Sequence, residues 1–532
     1  MNRLPIFILL LLTAVAPAAP LQIRVATFNA SLNRTTSGQL ATDLAVTTNT
    51  QAQKVAEIIQ RVRPDILLLN EFDYDPANPT LALTRFHDNY LAVAHNGQAA
   101  LSYPYRYVAP SNTGVPTGAA SVAAGDFDNN GAVVSSYVSG ASTTVKNNYG
   151  NDCFGFGWFP GQYSFAVYSK YPILTAQLRS FQFFKWQDMP AAVLPDDTAT
   201  GTPNDWYSTA ELGIFRLSSK NHVDLPIELL PGHLLHLLAS HPTPPAFESG
   251  AAAIASDYNG HRNHDEIRLW ADYISGAAYL YDDQGGTGGL ATDQRFIALA
   301  DMNADPLDGD SYLSAMNQLF THPLINATFL PASAGGASES AAQGGVNASQ
   351  HGNPANDTSD FYDGSGGAGN LSIDHVFPSK LGFSVTGGGV FWPAATDPLY
   401  PLLFKTASFT QSNQVTDHRL VWLDLTVLPI PSQAVRNLSV ARQGSDYLLS
   451  WQTQPGVTYT VEQSPDLSTW SATPTIPITF DTPNATATAL DAGAALGPQK
   501  FYRLSLTLDA TAPALPAPGV RSKVRPSPRG FR

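Results

Sequence analysis

From residue 21 onward the apolar positions switch repeatedly between strand-like alternation and helical spacing. Residues 22–29 (QIRVATFN) are rich in β-branched side chains and predict a strand. Residues 51–62 carry Val55, Ile58, Ile59 and Val62 at helical spacing and predict an amphipathic helix. Arg63-Pro64 ends it, because proline cannot continue a helix. Residues 65–69 then read as a buried strand that gives out at Asn70-Glu71. Asn263 followed by Glu266 reads as a capping box that opens a helix through Ile267, Trp270 and Ile274. Residues 296–300 and 371–377 are short apolar runs, each followed at once by polar residues, and read as further strands. This mixture predicts a layered α/β or α+β core.

Two intervals lack such patterning. Residues 101–162 are rich in Gly, Asn and Ser, and residues 331–369 are of low complexity. Both read as long surface loops of the kind that build the rim of a site. Past Pro429-Ile430-Pro431 the helical period disappears, and strand signals recur at 447–451, 458–462 and 501–506, which predicts a small β-sandwich. Residues 511–532 are Pro-rich and basic, the composition of a disordered tail. At the other end Arg3 precedes an apolar run from Ile6 through Leu12, closed by Ala16-Pro17-Ala18. That is the order of a cleavable leader, and the run is short of the ~20 residues a membrane span needs. The expected organisation is a leader over 1–18, a main domain over 19–430, a β-sandwich over 435–508 and a tail over 509–532. The expected destination is secreted or periplasmic, without a membrane span.

Composition narrows the class. The 532 residues are 43% hydrophobic and only 14% charged, with 41 Gly and 40 Pro, so loops and strands outweigh long surface helices. Lys+Arg 29 against Asp+Glu 43 leaves a net charge of -14, which disfavours a general nucleic-acid binder. One cysteine, Cys153, excludes an intramolecular disulfide framework and Cys-rich zinc modules. The P-loop, HExxH and GxSxG patterns are absent.

What remains is a recurring placement. Asn29, Glu71, Asp301, Asn303, Asp374, Asp417 and His418 each stand where an apolar strand gives out, in ATFN, LLLNE, IALADMN, SIDH and QVTDH. In a sandwich of sheets such ends converge on one rim. Oxygen-rich ligands without thiols suit a hard cation, Mg²⁺, Mn²⁺ or Ca²⁺, better than zinc. His241 and His418 add groups that titrate near neutrality. Carboxylates, a hard metal and histidines together equip a chain for phosphoester hydrolysis. Separately, Asp126-x-Asp128-x-Asn130-Gly131 imitates the start of an EF-hand loop, but its twelfth position is Tyr137 rather than the bidentate Glu.

Seven stretches carry a resemblance in order along the chain: VATFN (25–29), PDILLLNEFD (64–73), AVYSKYPI (166–173), LLASHPTPP (237–245), ALADMNADP (298–306), IDHVFPS (373–379) and TDHRLVWLDL (416–425). They resemble the endonuclease/exonuclease/phosphatase superfamily, the DNase-I-like group that includes abasic-site endonucleases and neutral sphingomyelinases. The resemblance implies a four-layer αββα sandwich, here followed by a small all-β sandwich. FGFGWFPGQYSFAVYS, RLSSKNHVDLPI and NGHRNHDEIRLWADYI are similar to a narrower branch, secreted bacterial phosphoesterases described as phytase-like or alkaline-phosphatase-like. The segment with LLSWQTQPGVTYTVEQSPDLSTW and FYRLSL resembles fibronectin-III-like modules, with Trp451, Tyr459 and Tyr502 as core and a spacer or surface-contact role.

By the resemblance, Glu71 ligates the metal with Asn29 beside it and Asp417 helping. Asp301 orients the attacking water, Asn303 binds a phosphate oxygen, and His418, paired to Asp374, contacts or protonates the phosphate. His241 matches a histidine that some members use as general acid. Some relatives carry an acidic residue where Ser31 stands, which leaves the number of bound ions open. Lys220, His222, Arg262 and Asn263 lie in the branch-specific stretches and are expected to grip phosphate, with helix capping the competing role for Asn263. The implied activity is a divalent-metal-dependent hydrolase of small phosphate mono- or diesters, Mg²⁺ being the first choice. A secreted nuclease and a catalytically inactive surface-binding protein are the alternatives.

Overall fold

The first strand runs past its predicted end. In the computed structural model, which describes residues 20–119, 121–481, 484–496 and 500–508, it is β1 (Gln22–Leu32). The leader expected over 1–18 and the tail expected from 509 lie outside the described residues. Ala26, Phe28 and Ala30 of β1 share one buried cluster with Val55, Ile58, Ile59 and Val62 of the helix Thr50–Val62. Val25 and Thr27, which alternate with them, are equally buried on the opposite face. The helix starts where the Asn49 side chain accepts from the Ala52 amide, and stops at Arg63, whose left-handed backbone turns the chain into Pro64.

The strands that follow are β2 (Ile66–Phe72), β3 (Tyr105–Val108), β4 (Phe165–Ser169), β5 (Arg179–Ser180), β6 (His222–Leu230), β7 (His233–Ser240), β8 (Phe296–Asp301), β9 (Ser359–Asp360), β10 (Asn370–Leu371), β11 (Asp374–Pro378), β12 (Phe383–Val390) and β13 (Val421–Val427). One sheet has the order β12-β13-β1-β2-β4-β3, the other β11-β8-β7-β6-β5, and β9 pairs with β10 alone. β1 and β2 are parallel, with Asn29 opposite Asn70. β8 runs parallel to β7 and antiparallel to β11, which sets Asp301 opposite Asp374. On the second sheet Leu238, Ala298 and Ala300 pack with Ile267, Trp270 and Ile274 of the helix Tyr258–Ile274, while Leu237, Ala239, Ile297 and Leu299 are buried on the other face.

Asn70 joins the sheets. Its Nδ2 donates to the Ser240 carbonyl of β7 at 2.9 Å, and its Oδ1 accepts from the Asp301 amide of β8 at 3.2 Å and from Thr27 Oγ1 at 3.3 Å. The result is a mixed α/β fold in which each sheet has a helix on one face.

Several expectations need correction. Asn263 does not open its helix. The helix Ala251–Ser256 runs into Asp257, whose left-handed backbone starts the helix at Tyr258, so Asn263 lies past the first turn. The strand expected over 371–377 breaks between Leu371 and Asp374, because Ser372 donates its amide to Asp305, and Ile373 and Asp374 donate theirs to Thr358 Oγ1. The interval 101–162 contributes the edge strand β3 and the helix Thr143–Asn151, capped by Ser142. The interval 331–369 holds the helix Ala334–Gln343 and β9. Neither is loop throughout.

The chain divides into two units, one Ile23–Gln433 and the other resuming at Ala434. The second is built from strands β14 (Arg436–Gln443), β15 (Asp446–Gln452), β16 (Val457–Ser464), β17 (Ile478–Asp481), β18 (Thr486–Asp491) and β19 (Phe501–Leu508). They form a four-stranded sheet, β14-β15-β18-β17, and a pair, β16-β19. Leu449, Trp451 and Ala487 from the first share a cluster with Tyr459 and Val461 from the second. Trp451 and Tyr459 are buried, and the Tyr459 hydroxyl is bonded to the Ala434 carbonyl, so neither ring is an exposed platform. Among the described residues no helix is long and apolar enough to cross a membrane.

Replacing Asn70 by Ala strands a buried carbonyl on β7 and a buried amide on β8, both in the facing sheet. At roughly 1–3 kcal/mol for each unsatisfied group, the expected loss is about 2–6 kcal/mol. Urea unfolding of Asn70→Ala against the parent measures it, and an unchanged midpoint would show that Asn70 does not tie the sheets.

Candidate active site

The ends of β1, β2, β7, β8 and β11 deliver their polar residues to one place. Three of the chain's bends there are left-handed at non-glycine residues: Ser31 (φ 46), Glu71 (φ 57) and Asn303 (φ 51). Such backbone is costly for Ser and Glu and is held only where surrounding structure compels it. At β1 the register with β2 slips between Asn29 and Leu32, so the strand bulges at Ser31.

Asp301 is the hub. Its Oδ2 accepts from Asn29 Nδ2 at 2.9 Å and lies 3.4 Å from His241 Nε2 and 3.6 Å from His418 Nε2. Its Oδ1 accepts from the Asn303 amide at 2.9 Å. The other ring nitrogen of His418, Nδ1, donates to Asp374 Oδ2 at 2.9 Å, and that same oxygen accepts from Thr358 Oγ1 at 2.9 Å. Asp374 Oδ1 is buried without a hydrogen-bond partner. Phe361 meets the His418 ring edge-on at 5.5 Å between centroids. Asn303 Nδ2 and Lys220 Nζ both donate to the Pro242 carbonyl, each at 3.1 Å.

Charge follows from this geometry. Burial alone would discharge His418, but the Asp374 and Asp301 carboxylates outweigh it and hold the imidazolium charged well above its usual range. Burial pushes Asp301 up as well, yet His418, His241 and Asn29 more than reverse this and keep it ionised below its ordinary value. Asp374 rises to about 6, through burial and its neighbour Asp301, against the pull of His418. Burial and the Lys220 charge lower His241, so its ring is neutral at pH 7, and burial lowers Lys220 to about 8.

Two sets of groups bear on a metal. Asp301, Asp374 and His418 offer ligand atoms within 4.8 Å of one another. Their closeness is already accounted for by an imidazolium held between two carboxylates. Glu71 presents the other set. It keeps part of its surface exposed and accepts from Asn33 Nδ2 at 2.5 Å, and Asp417 is exposed beside it. The protein packed around Glu71, with the Asp417 charge, pushes its carboxyl up to about 7 despite His418 and Asn29. A hard divalent cation reverses that kind of destabilisation, and the Glu71, Asn29 and Asp417 oxygens are the donors it prefers. The donor set fits the group.

Three residues expected to grip phosphate are committed elsewhere. Arg262 spends its guanidinium on the backbone carbonyls of Leu217, Phe154 and Arg216 and is buried. His222 lies fully buried between Ser218 Oγ (2.6 Å) and the Glu266 carbonyl (2.9 Å). Asn263 Nδ2 donates to the carbonyls of Thr243 (2.7 Å) and Met302 (2.9 Å), which follow His241 and Asp301. These three are scaffold beneath the site. Of the four, Lys220 alone reaches the site's edge. Sequence reasoning missed Asn70, Thr358, Asn33 and Glu266, whose carboxylate holds the Ser219 and Thr243 amides at 2.6 and 2.5 Å. Asn70 carried a signal as the polar residue that ends an apolar run, and Glu266 only as the expected capping-box partner of Asn263.

The profile of the Endonuclease/Exonuclease/phosphatase family matches residues 26–418, and the chain belongs to that family, which includes phosphoesterases and nucleases. Among solved structures, an endonuclease/exonuclease/phosphatase from Beutenbergia cavernae DSM 12333 is 14% identical, with TM-score 0.38, over 93% of this chain and 94% of its own. Truncated Caenorhabditis elegans TDP2 is 12% identical, with TM-score 0.32, over 76% of this chain and 98% of its own. No curated protein matches the sequence.

Burial lowers His222 to about 4 from an ordinary 6.5. Between those values the unfolded chain binds a proton that the folded chain refuses, so stability falls as pH drops through the window, by about 3 kcal/mol at its lower end. Urea midpoints from pH 7 to pH 5 should therefore fall more steeply for the parent than for His222→Gln. Parallel declines would remove His222 as the cause.

Proposed function

We propose that this chain is a divalent-metal-dependent hydrolase of small phosphate mono- or diesters. The observation that carries the reading is the buried His418 imidazolium between Asp374 and Asp301, with Asp301 itself kept ionised. In this reading the two sheets, each with a helix on its outer face, form the four-layer αββα sandwich of the family. Asn29, Glu71 and Asp417 would hold the cation, Mg²⁺ first and Mn²⁺ or Ca²⁺ next. When bound, it neutralises charge on the phosphate oxygens.

The chain's own residues do the rest. His418 Nε2–H points a fixed positive charge at the phosphate, and Asp374 and Thr358 keep the ring from turning. Asp301, ionised and braced by the Asn303 amide, accepts a proton from the attacking water and aligns it. The Asn303 side-chain amide donates to a phosphate oxygen. His241 begins neutral, and the negative charge of a bound ester raises its proton affinity, which suits it to protonate the leaving oxygen. Lys220 adds positive charge behind it.

Substrate size follows from charge and composition. The chain carries a net charge of -14, and two of the basic groups expected at the rim, Arg262 and His222, are turned into the scaffold. A duplex needs several basic contacts to consecutive phosphates. A single phosphate needs only the metal, His418, Asn303 and Lys220. The leader pattern over 1–18 supports export to the periplasm or medium. The strand-built C-terminal unit suits a fibronectin-III-like spacer or surface contact, and its buried aromatics speak against sugar stacking.

Turnover of p-nitrophenyl phosphate, bis-p-nitrophenyl phosphate and phytate, compared with nicking of supercoiled plasmid, tests the ranking. EDTA should abolish ester turnover and Mg²⁺ should restore it. Efficient nicking beside negligible ester turnover would make the chain a nuclease. Asp301→Asn and His418→Ala should each lower kcat ~10²–10⁴-fold with the fold intact; near-parental turnover in either would move the site elsewhere.

A further inference from the structure

Within residues 101–162 the run Asp126-Phe127-Asp128-Asn129-Asn130-Gly131 wraps its backbone around one carboxylate. Asp126 Oδ1 accepts from the Asn130 amide at 3.0 Å and Oδ2 from the Gly131 amide at 2.8 Å, with Asn129 (φ 54) and Gly131 (φ 86) left-handed. Phe127 pins the loop: it is buried, 4.6 Å from Phe215 and 6.0 Å from Tyr207 between ring centroids. The turn by itself says nothing about a ligand.

A second observation does. Asp152, which follows the helix Thr143–Asn151, comes up to the same loop and is 1% exposed. Its Oδ2 accepts from the Val134 amide at 2.7 Å, and its Oδ1 is buried with no hydrogen-bond partner. Asp128 repeats this: Oδ2 accepts from Asn130 Nδ2 (3.0 Å) and Asn151 Nδ2 (2.7 Å), and Oδ1 is buried and unpartnered. Asp126, Asp128 and Asp152 offer oxygens within 4.8 Å of one another. Two orphaned anionic oxygens in a cluster of three carboxylates are costly unless a cation lies among them. Burial and the two neighbouring carboxylates already press Asp152 up to about 7.

We propose that Asp126, Asp128 and Asp152 hold a Ca²⁺ ion that clamps the insertion to the end of the helix Thr143–Asn151. Positions one, three and six of the loop follow the EF-hand spacing. At the twelfth position Tyr137 packs against Tyr149 (6.0 Å) and Phe159 (6.4 Å) instead of supplying a carboxylate. Asp152, arriving from beyond the helix, takes that place. Anionic oxygens on irregular loops favour Ca²⁺, with its large and flexible shell, over Mg²⁺, which demands a near-ideal octahedron. The clamp has a structural target. Three residues after Asp152, Gly155 packs so tightly on the Ser219 carbonyl that a Cβ would meet that oxygen at 1.8 Å, and Ser219 precedes Lys220. The ion therefore steadies the wall that carries Lys220, without touching the groups assigned to hydrolysis.

The site is separable from any ion at Glu71. Calorimetric Ca²⁺ titration and thermal unfolding are measured on the EDTA-treated full chain, on Glu71→Gln, on Asp152→Asn and on Asp128→Asn. Glu71→Gln should keep a Ca²⁺ site and a Ca²⁺-dependent rise in Tm. Asp152→Asn and Asp128→Asn should each lose at least about ten-fold in the affinity of that site, since even indirect partners of a metal are worth that much. Asp128 is part-exposed, so its variant keeps the test open should Asp152→Asn fail to fold. Ca²⁺ affinity and Tm rise in both variants equal to the parent's would overturn the proposal, as would an equal rise with Mg²⁺.

Discussion

Between the two sheets a row of polar side chains has almost no solvent to turn to and must satisfy itself. Asn70 and Asn29 are 0% exposed, Asp301 and Asp374 1%, and His418 4%. Each unpaired member would cost roughly 1–3 kcal/mol, more for a charge, so strand alignments that pair most of these groups are favoured, although Asp374 Oδ1 is left without a partner. Asn70 meets this demand by pairing with both strands of the opposite sheet at once, and Asn29 by reaching across to Asp301. The registers that set Asn29 opposite Asn70 and Asp301 opposite Asp374 are the backbone expression of that constraint. Two carboxylates in so dry a place need a positive charge between them, and His418 is that charge.

The chemistry is a by-product of the same arrangement. An imidazolium that cannot lose its proton easily is a poor general base and a good fixed donor. The ionised Asp301 carboxylate keeps lone pairs free to align a water, although the partners that hold it ionised also weaken its basicity. The helix Tyr258–Ile274 supports both by holding the segments that follow β7 and β8 through Asn263 and Glu266. Asn263 and Glu266 therefore point into the protein, beneath the site rather than into it.

This explains what could be read from the sequence and what could not. Asn29, Glu71, Asp301, Asp374 and His418 were legible because an apolar run stops abruptly at each, and a strand end is where a side chain changes surroundings. Arg262, His222 and Asn263 were misread because sequence displays polarity but not direction. A buried arginine that feeds three backbone carbonyls looks, in one dimension, like an arginine waiting for phosphate. The Asn263-to-Glu266 spacing fits a cap and fits equally two inward-facing residues of a helix interior. Thr358 was invisible: it sits in a low-complexity interval, and its partner Asp374 becomes its neighbour only when Ser372 and Ile373 leave the ladder for Asp305 and Thr358 itself. Asp152 was overlooked because the position expected to complete its loop was sought at Tyr137, along the chain rather than across it.

The central claim is electrostatic: His418 carries a proton at neutral pH because Asp374 and Asp301 hold it there. Nitrogen-15 spectra of histidine-labelled chain, recorded from pH 5 to pH 9 and assigned with a His418→Gln variant, read that proton directly. Both ring nitrogens of His418 should stay protonated through pH 8, and the titration should move down when Asp374 is changed to Asn. A neutral His418 ring at pH 7 would contradict it, and the mechanism built on that charge would go with it.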